Sequence, residues 1–241
     1  MKFYYELADW WHLMSAPEEY EAEAGIFWEI ITRHKADVKT ALELGSGGGN
    51  NAFHLKHKCA FTLSDISPAM IQKSQEINPE CAHHVGDMRT LDLQQTFDLV
   101  FIHDAIMFLT SEEDLLRVFE VAKKHLNPGG LLFITPDFFK ETFVPSTDCD
   151  GQDDGHRSLR YLEWYYDKDP DDSVFEVEYV YLLKNGNEPT QCLHETYQEG
   201  LFSKITWERL LKQSGFEVIF EPIQHTGLED MTFYGIVGKM N

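Results

Sequence analysis

Basic residues are scarce in this chain. Lys and Arg number 20 against 41 Asp and Glu in 241 residues, a formal net charge of −21. Nucleic acid and anionic membranes need a basic face to bind, so both are disfavoured as partners. The acidity serves solubility and is compatible with a cationic ligand. Cysteine is sparse too. Cys59, Cys81, Cys149 and Cys192 stand far apart and form no CxxC pair. That argues against a structural zinc site and for reduced thiols. No apolar run approaches the ~20 residues that span a bilayer. The start, Met1-Lys-Phe-Tyr-Tyr-Glu6, has no signal-peptide hydrophobic region. A cytoplasmic protein is therefore expected, as a monomer or homodimer.

What is present is a core. Hydrophobic residues make up 43% of the chain, enough for one large α/β domain with an insertion. Residues 3 to 34 read as helical. Tyr4, Leu7, Ala8, Trp11 and Leu13 suggest one apolar face. Pro17 opens a second helix, with Glu18 and Glu19 in its first turn. Apolar runs then alternate with helical patterns. Val38–Leu44, Ala60–Ser64, Ala82–Val85, Asp98–Ile102 and Leu131–Thr135 read as strands. Pro68 starts one intervening helix. Ser111-Glu-Glu-Asp114 caps another, which Asn127-Pro-Gly-Gly130 stops. Such alternation predicts a parallel, doubly wound sheet, with ligands at the carboxyl ends of its strands.

After residue 139 the pattern changes. Residues 140 to 157 read as loop. Three antiparallel strands follow up to Phe202, with Asn185-Gly186 as a hairpin turn. A helix over Ile205–Leu211 and a strand pair, Phe216–Phe220 with Met231–Val237, return to the core. The expected domains are N-terminal helices over 1–37 acting as a lid, a core over 38–139 and 203–241, and a β cap over 140–202.

The stretch Ala41 to Asn50 organises the rest. A strand ends in Gly45-Ser-Gly-Gly-Gly49 and a helix follows. Glycines let backbone approach a ligand where a Cβ would clash. The helix start offers free N–H groups to an anionic group. Asp65, at the end of the second strand, can accept both hydroxyls of a ribose. Gly47-x-Gly49-x-x-Ala52 also fits a loose dinucleotide fingerprint, so a nicotinamide-dependent oxidoreductase is one reading. Three further features separate the options. Glu43 precedes the glycines. Gly86-Asp87-Met88 follows the third strand, where a carboxylate can accept from an adenine amino group. The Asn-Pro-Gly-Gly turn and the late strand pair complete the set.

Together these motifs resemble the class I S-adenosylmethionine-dependent methyltransferase family, over about residues 38 to 138 and 204 to 238. The nearest likeness is to the sugar amino N,N-dimethyltransferases, through Glu19-Tyr20, Gly86-Asp-Met-Arg89 and Glu141-Thr-Phe143. It departs at Phe108, where those enzymes carry a histidine. The resemblance implies a Rossmann-like, doubly wound seven-stranded sheet with an antiparallel β insertion after strand five. It implies S-adenosylmethionine as cofactor. Glu43 and Gly45, Ser46, Gly47 and Gly49 would hold its methionine part. Asp65 would take the ribose hydroxyls. Ile66, Asp87 and Met88 would surround the adenine. Tyr20, Met70 and His103 join the cofactor-binding set, with His103 beside the transferable methyl group.

The expected reaction is methyl transfer to a nitrogen or oxygen of a small-molecule acceptor. His103 and Asp104 are the candidates for a base or an orienting group; the alternative is that His103 packs on the cofactor. Tyr5, Trp10, Trp11, Arg160 and His194 are candidate substrate contacts, with Trp164 and Tyr165 lining the same space. Trp10 and Trp11 either close a pocket or simply pack a helix on the core. Asp148, Asp150, Asp153, Asp154 and His156 crowd one loop, but their spacing is not that of a calcium loop. A solvated acidic loop is expected there, and no metal site. A non-catalytic cofactor-binding or protein-interaction module remains the other alternative.

Overall fold

A computed structural model describes residues 1–223 and 233–240. The N-terminal segment folds into α1 (Trp11–Met14) and α2 (Glu21–His34). Then come β1 (Thr40–Leu44), α3 (Asn50–Leu55), β2 (Ala60–Asp65), α4 (Pro68–Ile77), β3 (Ala82–Val85), β4 (Phe97–Ile102), α5 (Glu112–Lys124) and β5 (Leu126–Ile134). Four further strands follow: β6 (Ser146–Asp150), β7 (Arg157–Tyr166), β8 (Val174–Asn185) and β9 (Gln191–Gly200). The chain ends with α6 (Lys204–Gln213), β10 (Phe216–Ile223) and β11 (Phe233–Met240).

The large sheet has seven strands in the order β10-β11-β5-β4-β1-β2-β3. β1 to β5 pair in parallel, and β11 enters antiparallel between β5 and β10. The expected Rossmann-like, doubly wound sheet is what forms. Strand alternation sends neighbouring residues to opposite faces. Leu42, Leu44, Val100, Ile102, Leu132 and Ile134 enter one core, with α5 and α6. Ala41, Leu99, Phe101, Leu131 and Phe133 enter the other, with α2 and α3. Each fully buried leucine here is worth ~1.5–3 kcal/mol. Ser67 Oγ accepts the Met70 N–H at 3.3 Å and Ser111 Oγ accepts the Asp114 N–H at 3.2 Å. Such caps contribute about 1 kcal/mol each and fix where α4 and α5 begin.

The second sheet is antiparallel, in the order β6-β7-β8-β9, and lies between β5 and α6 in the chain. It has four strands, not the three expected, because Ser146–Asp150 pairs antiparallel with β7, Ser146 opposite Tyr165 and Asp150 opposite Tyr161. Residues read as loop were polar enough to look unstructured, yet an exposed edge strand needs no apolar side chains. The first expected helix also breaks up. Turns and a 3-10 segment at Ala8–Trp10 replace most of it, and a second 3-10 segment covers Pro17–Tyr20. Asn127 to Gly130 do not stop the helix; they form a bulge inside β5, with the pairing shifting between Phe97 and Leu99 of β4. Of the expected closing strands, Met231 lies outside the described residues. Among the described residues no helix is long and apolar enough to cross a membrane.

Candidate active site

The chain order reverses between β1 and β4, which lie side by side. The ends of these two strands open on a cavity of about 250 Å³. Gly45, Gly47 and Gly49 all adopt positive φ, at 73°, 51° and 81°. The Gly45 and Ser46 N–H groups donate to the Ser64 carbonyl at 2.8 and 2.9 Å, which pins the turn to β2. A Cβ on Gly45 would lie 2.4 Å from the Ala105 Cβ, and one on Gly48 would lie 2.2 Å from Trp11 Nε1. Only glycine fits between the loop, the residues after β4 and the N-terminal segment. α3 has six residues, so the loop backbone rather than a long helix forms the cradle.

Four carboxylates face this cavity, Glu43, Asp65, Asp87 and Asp104, in different states. Asp65 is 8% exposed; its Oδ2 accepts the Gly47 N–H at 2.9 Å and its Oδ1 the Ser67 N–H at 2.8 Å. Burial pushes its pKa up, and those two N–H groups oppose the shift. Glu43 is 2% exposed and its Oε2 has no partner. Burial, with smaller contributions from Asp104 and Asp65, pushes its pKa up to about 8, against the pull of His103. Asp87 is held by Arg89, with Nη2 to Oδ2 at 2.6 Å, and Arg89 also reaches Asp114 at 3.2 Å. That hydrogen bond keeps the Asp87 pKa low.

His103 follows β4. Its Nε2 lies 3.0 Å from Glu23 Oε1 and its Nδ1 lies 3.2 Å from Asp104 Oδ1. Burial opposes its charge, but Asp104 and Glu23 outweigh burial and raise its pKa well above the ordinary value. The two carboxylates that flank His103 favour its charged form. Asp104 keeps 49% of its side-chain exposure and faces the cleft. Tyr20 donates to or accepts from Ser15 at 2.8 Å, with its ring 6.2 Å from His103. Burial pushes its phenol up to about 12.

The cavity brings together most of the residues named from sequence: Tyr5, Trp11, Tyr20, Glu43, Gly45, Ser46, Gly47, Asp65, Ile66, Asp87, Met88, His103 and Asp104. It does not bring in all of them. Gly49 shapes the turn without lining the space, its α-carbon facing Ser74 and Asn78. Met70 is fully buried inside α4. Trp10 lies under the guanidinium of Arg157, 5.3 Å from its ring. Arg160 pairs with Asp153 at 2.8 Å and His194 with Glu178 at 2.8 Å, both on the outer face of the second sheet. Trp164 packs against Tyr166 on that same face, with ring centroids 4.4 Å apart and the planes tilted by 36°. Strand parity decides this. Leu159, Phe175, Val177, Tyr179 and Leu183 are inward and odd-numbered, so even-numbered residues of these strands face out. Tyr165 is inward and meets Tyr179 at 3.2 Å between hydroxyls. In the acidic loop Asp153 and Asp154 are tied to Arg160 and Arg157. Among the described residues no three His, Cys, Asp or Glu side chains converge as metal ligands.

Sequence reasoning missed Tyr4, Asn50, Asn51, Ser67 and Phe108, which also line the cavity. Asn50 and Asn51 directly follow the glycines, and that adjacency was the available signal. Trp11 Nε1, Glu43 Oε2, Ser46 Oγ and Asn51 Oδ1 are buried here without partners. Buried polar groups are rarely left unpaired. The donor set therefore suits a ligand that brings an ammonium and hydroxyls to a glycine cradle, which S-adenosylmethionine does.

A doubly wound sheet with this switch-point cradle and a late antiparallel pair is the architecture of the class I S-adenosylmethionine-dependent methyltransferases, and this chain is similar to them, the sugar amino N-methyltransferases included. A family model described as a methyltransferase domain matches residues 41–130. The chain is similar to the dTDP-3-amino-3,6-dideoxy-alpha-D-glucopyranose N,N-dimethyltransferase of Streptomyces fradiae, 23% identical over 207 residues, covering 85% of this chain and 80% of the relative. It spans about half the length of two other sugar N,N-dimethyltransferases that it matches, at 54% and 51%. In fold it is similar to DesVI of Streptomyces venezuelae, with a TM-score of 0.82, 20% identity and 92% of each chain covered. It is also similar to S-adenosylmethionine-bound CalS10, an amino pentose methyltransferase of Micromonospora echinaspora, with a TM-score of 0.77, 21% identity and 92% of each chain covered.

Proposed function

We propose that this methyltransferase acts on an amine nitrogen of a small molecule. The observation that carries this reading is the charge around His103. Glu23 and Asp104 flank it, and among the described residues Arg89 is the only lysine or arginine lining the cavity, already engaged by Asp87 and Asp114. An anionic acceptor such as a carboxylate would meet repulsion there, whereas an amine, or the ammonium it becomes, would meet attraction. The names of the similar sugar amino N-methyltransferases support the same chemistry.

Bound S-adenosylmethionine supplies an electrophilic methyl group on a sulfonium. In this reading Glu43 and Asn51 would accept from the ammonium of its methionine part. Asp65 would exchange its loop N–H partners for ribose hydroxyls, and Asp87 with the Met88 backbone would meet the adenine edge. Ile66, Tyr20 and Trp11 would exclude water. Asp104 would accept an N–H of the acceptor and align its lone pair, while His103 holds Asp104 in place. The N-terminal residues 1–37 would serve as a lid and residues 140–202 as a cap over the core formed by 38–139 and 203–241.

The reading is tested by titrating the protein with S-adenosylmethionine, S-adenosylhomocysteine and nicotinamide dinucleotides, then assaying methyl transfer to amine, hydroxyl and carboxylate acceptors. Binding of the first two with turnover on amines is expected. Turnover confined to hydroxyl or carboxylate acceptors would refute the amine assignment.

A further inference from the structure

Trp11, a candidate acceptor contact from sequence, lies on the glycine turn instead. A Cβ on Gly48 would lie 2.2 Å from Trp11 Nε1 and 2.3 Å from Trp11 Cδ1, so the nitrogen-bearing edge of the indole rests on that glycine. Gly48 lacks the positive φ of Gly45, Gly47 and Gly49. Its backbone does not call for glycine; the indole does. The chain on either side of Trp11 is tied down. Lys73 of α4 pairs with Asp9 at 2.8 Å, and Asn50 of α3 donates to the Ser15 carbonyl at 3.0 Å. Tyr4 packs against the same indole, with ring centroids 5.3 Å apart. Trp11 also lines the cofactor cavity, and its Nε1 is buried with no hydrogen-bond partner among the described residues. A buried indole N–H in a native structure ordinarily has one.

The carboxylate of the cofactor's methionine part is the group still without a partner. An ionised carboxylate offers about four acceptor sites. Among the described residues Arg89 is the only lysine or arginine lining the cavity, and Asp87 and Asp114 hold it. The N–H groups of the turn are largely engaged. Gly45 and Ser46 donate to the Ser64 carbonyl, and Gly49 donates to the Ser46 carbonyl. Gly47 donates to Asp65 at 2.9 Å and is released only if Asp65 turns to the ribose. Among the described residues two side-chain donors in the cavity wall are buried and unpaired, Ser46 Oγ and Trp11 Nε1. His12 Nε2 is unpaired too, but His12 does not line the cavity. A hydrogen bond from a neutral donor to an ionised acceptor is roughly twice as strong as one between neutral groups.

We propose that Trp11 is a cofactor-binding residue, its indole N–H donating to the carboxylate of the methionine part of S-adenosylmethionine, with Ser46 Oγ as a second donor. Glu43 and Asn51 would take the ammonium at the same end. The N-terminal segment then completes the cofactor site rather than only covering it. A ligand without the carboxylate leaves the indole N–H unpaired. This inference rests on the placement of the cofactor over the glycine turn and is independent of whether the acceptor is an amine.

The test titrates the full chain calorimetrically with S-adenosylhomocysteine, its decarboxylated analogue, and 5′-methylthioadenosine, which lacks the amino acid altogether. In Trp11→Phe the affinity for S-adenosylhomocysteine should fall about tenfold or more relative to that for the decarboxylated analogue, the loss of one charge-assisted contact. Gly48→Ala, which displaces the indole without straining the backbone, should lower the same ratio. The double variant should lower it no further than Trp11→Phe does. Trp11→Phe should keep wild-type affinity for 5′-methylthioadenosine, which also shows that it folds. In isotope-labelled wild type, the indole N–H resonance missing from Trp11→Phe should shift on adding S-adenosylhomocysteine and far less on adding the decarboxylated analogue. An unchanged ratio in Trp11→Phe, or an unmoved Trp11 resonance, would overturn the proposal. Equal weakening of all three ligands would reduce Trp11 to a packing residue and overturn it as well. Failure of the wild type to bind either S-adenosylhomocysteine or 5′-methylthioadenosine would instead overturn the cofactor placement beneath it.

Discussion

Glu43 carries the site's most unusual burden at the residue scale. In the unfolded chain it titrates near 4.5 and in the fold near 8, because burial penalises its charge. The folded protein therefore binds more protons than the unfolded chain between those values. The stability Glu43 contributes is complete below 4.5 and is lost as pH rises through about 8. Glu43→Gln should flatten that decline, giving a higher thermal midpoint than the wild type at alkaline pH and little difference at acid pH. The same ionisation should tighten binding of S-adenosylhomocysteine as pH rises towards about 8, and Glu43→Gln should abolish the trend. A pH-independent wild-type affinity would remove Glu43 from the cofactor contacts. Asp65 offers a second check. Asp65→Ala should weaken cofactor binding by ~1.5–3 kcal/mol, the worth of hydrogen bonds to a charged acceptor. Its partners in the free protein, the N–H groups of Gly47 and Ser67, would also be released, so calorimetry at several temperatures should show a loss of binding enthalpy.

At the scale of elements, the turn from β1 to α3 is a packing solution as much as a binding one. Gly45 sits at φ 73° with its missing Cβ aimed at Ala105. Gly45→Ala should cost about 1–3 kcal/mol of stability, from the left-handed backbone and the displaced neighbour. Urea denaturation would read this as a lower midpoint at unchanged slope; an unchanged midpoint would mean that the residues after β4 move aside freely. The second sheet teaches a different lesson. Its alternation was visible in the chain, but which parity faces inward was not. Inward residues such as Tyr179, Tyr197 and Glu199 are a polar and aromatic set, no more apolar than outward Leu162, Trp164 and Leu182. Arg160 and His194 were drawn to the site by their chemistry and placed outside it by the pleat.

For the whole molecule, a net charge of −21 concentrates its effect where few cations intervene. Salt should weaken binding of a cationic acceptor, because the Debye length falls from about 10 Å at 0.1 M to about 3 Å at 1 M. Binding of S-adenosylhomocysteine, which is neutral overall, should change far less over the same range. Equal salt dependence of the two would argue against an electrostatically gathered acceptor. By itself the sequence determined the parallel core, the glycine turn and the acids Glu43, Asp65 and Asp87, since local periodicity and turn chemistry are short-range properties. Only the tertiary structure decided that His103 is clamped between Glu23 and Asp104. Glu23 comes from α2 and His103 from the end of β4, and no spacing along the chain encodes a meeting between separate elements. The cradle at Gly45 to Gly49 was legible because a ligand shaped it locally; the space beyond His103 exists only where the layers close.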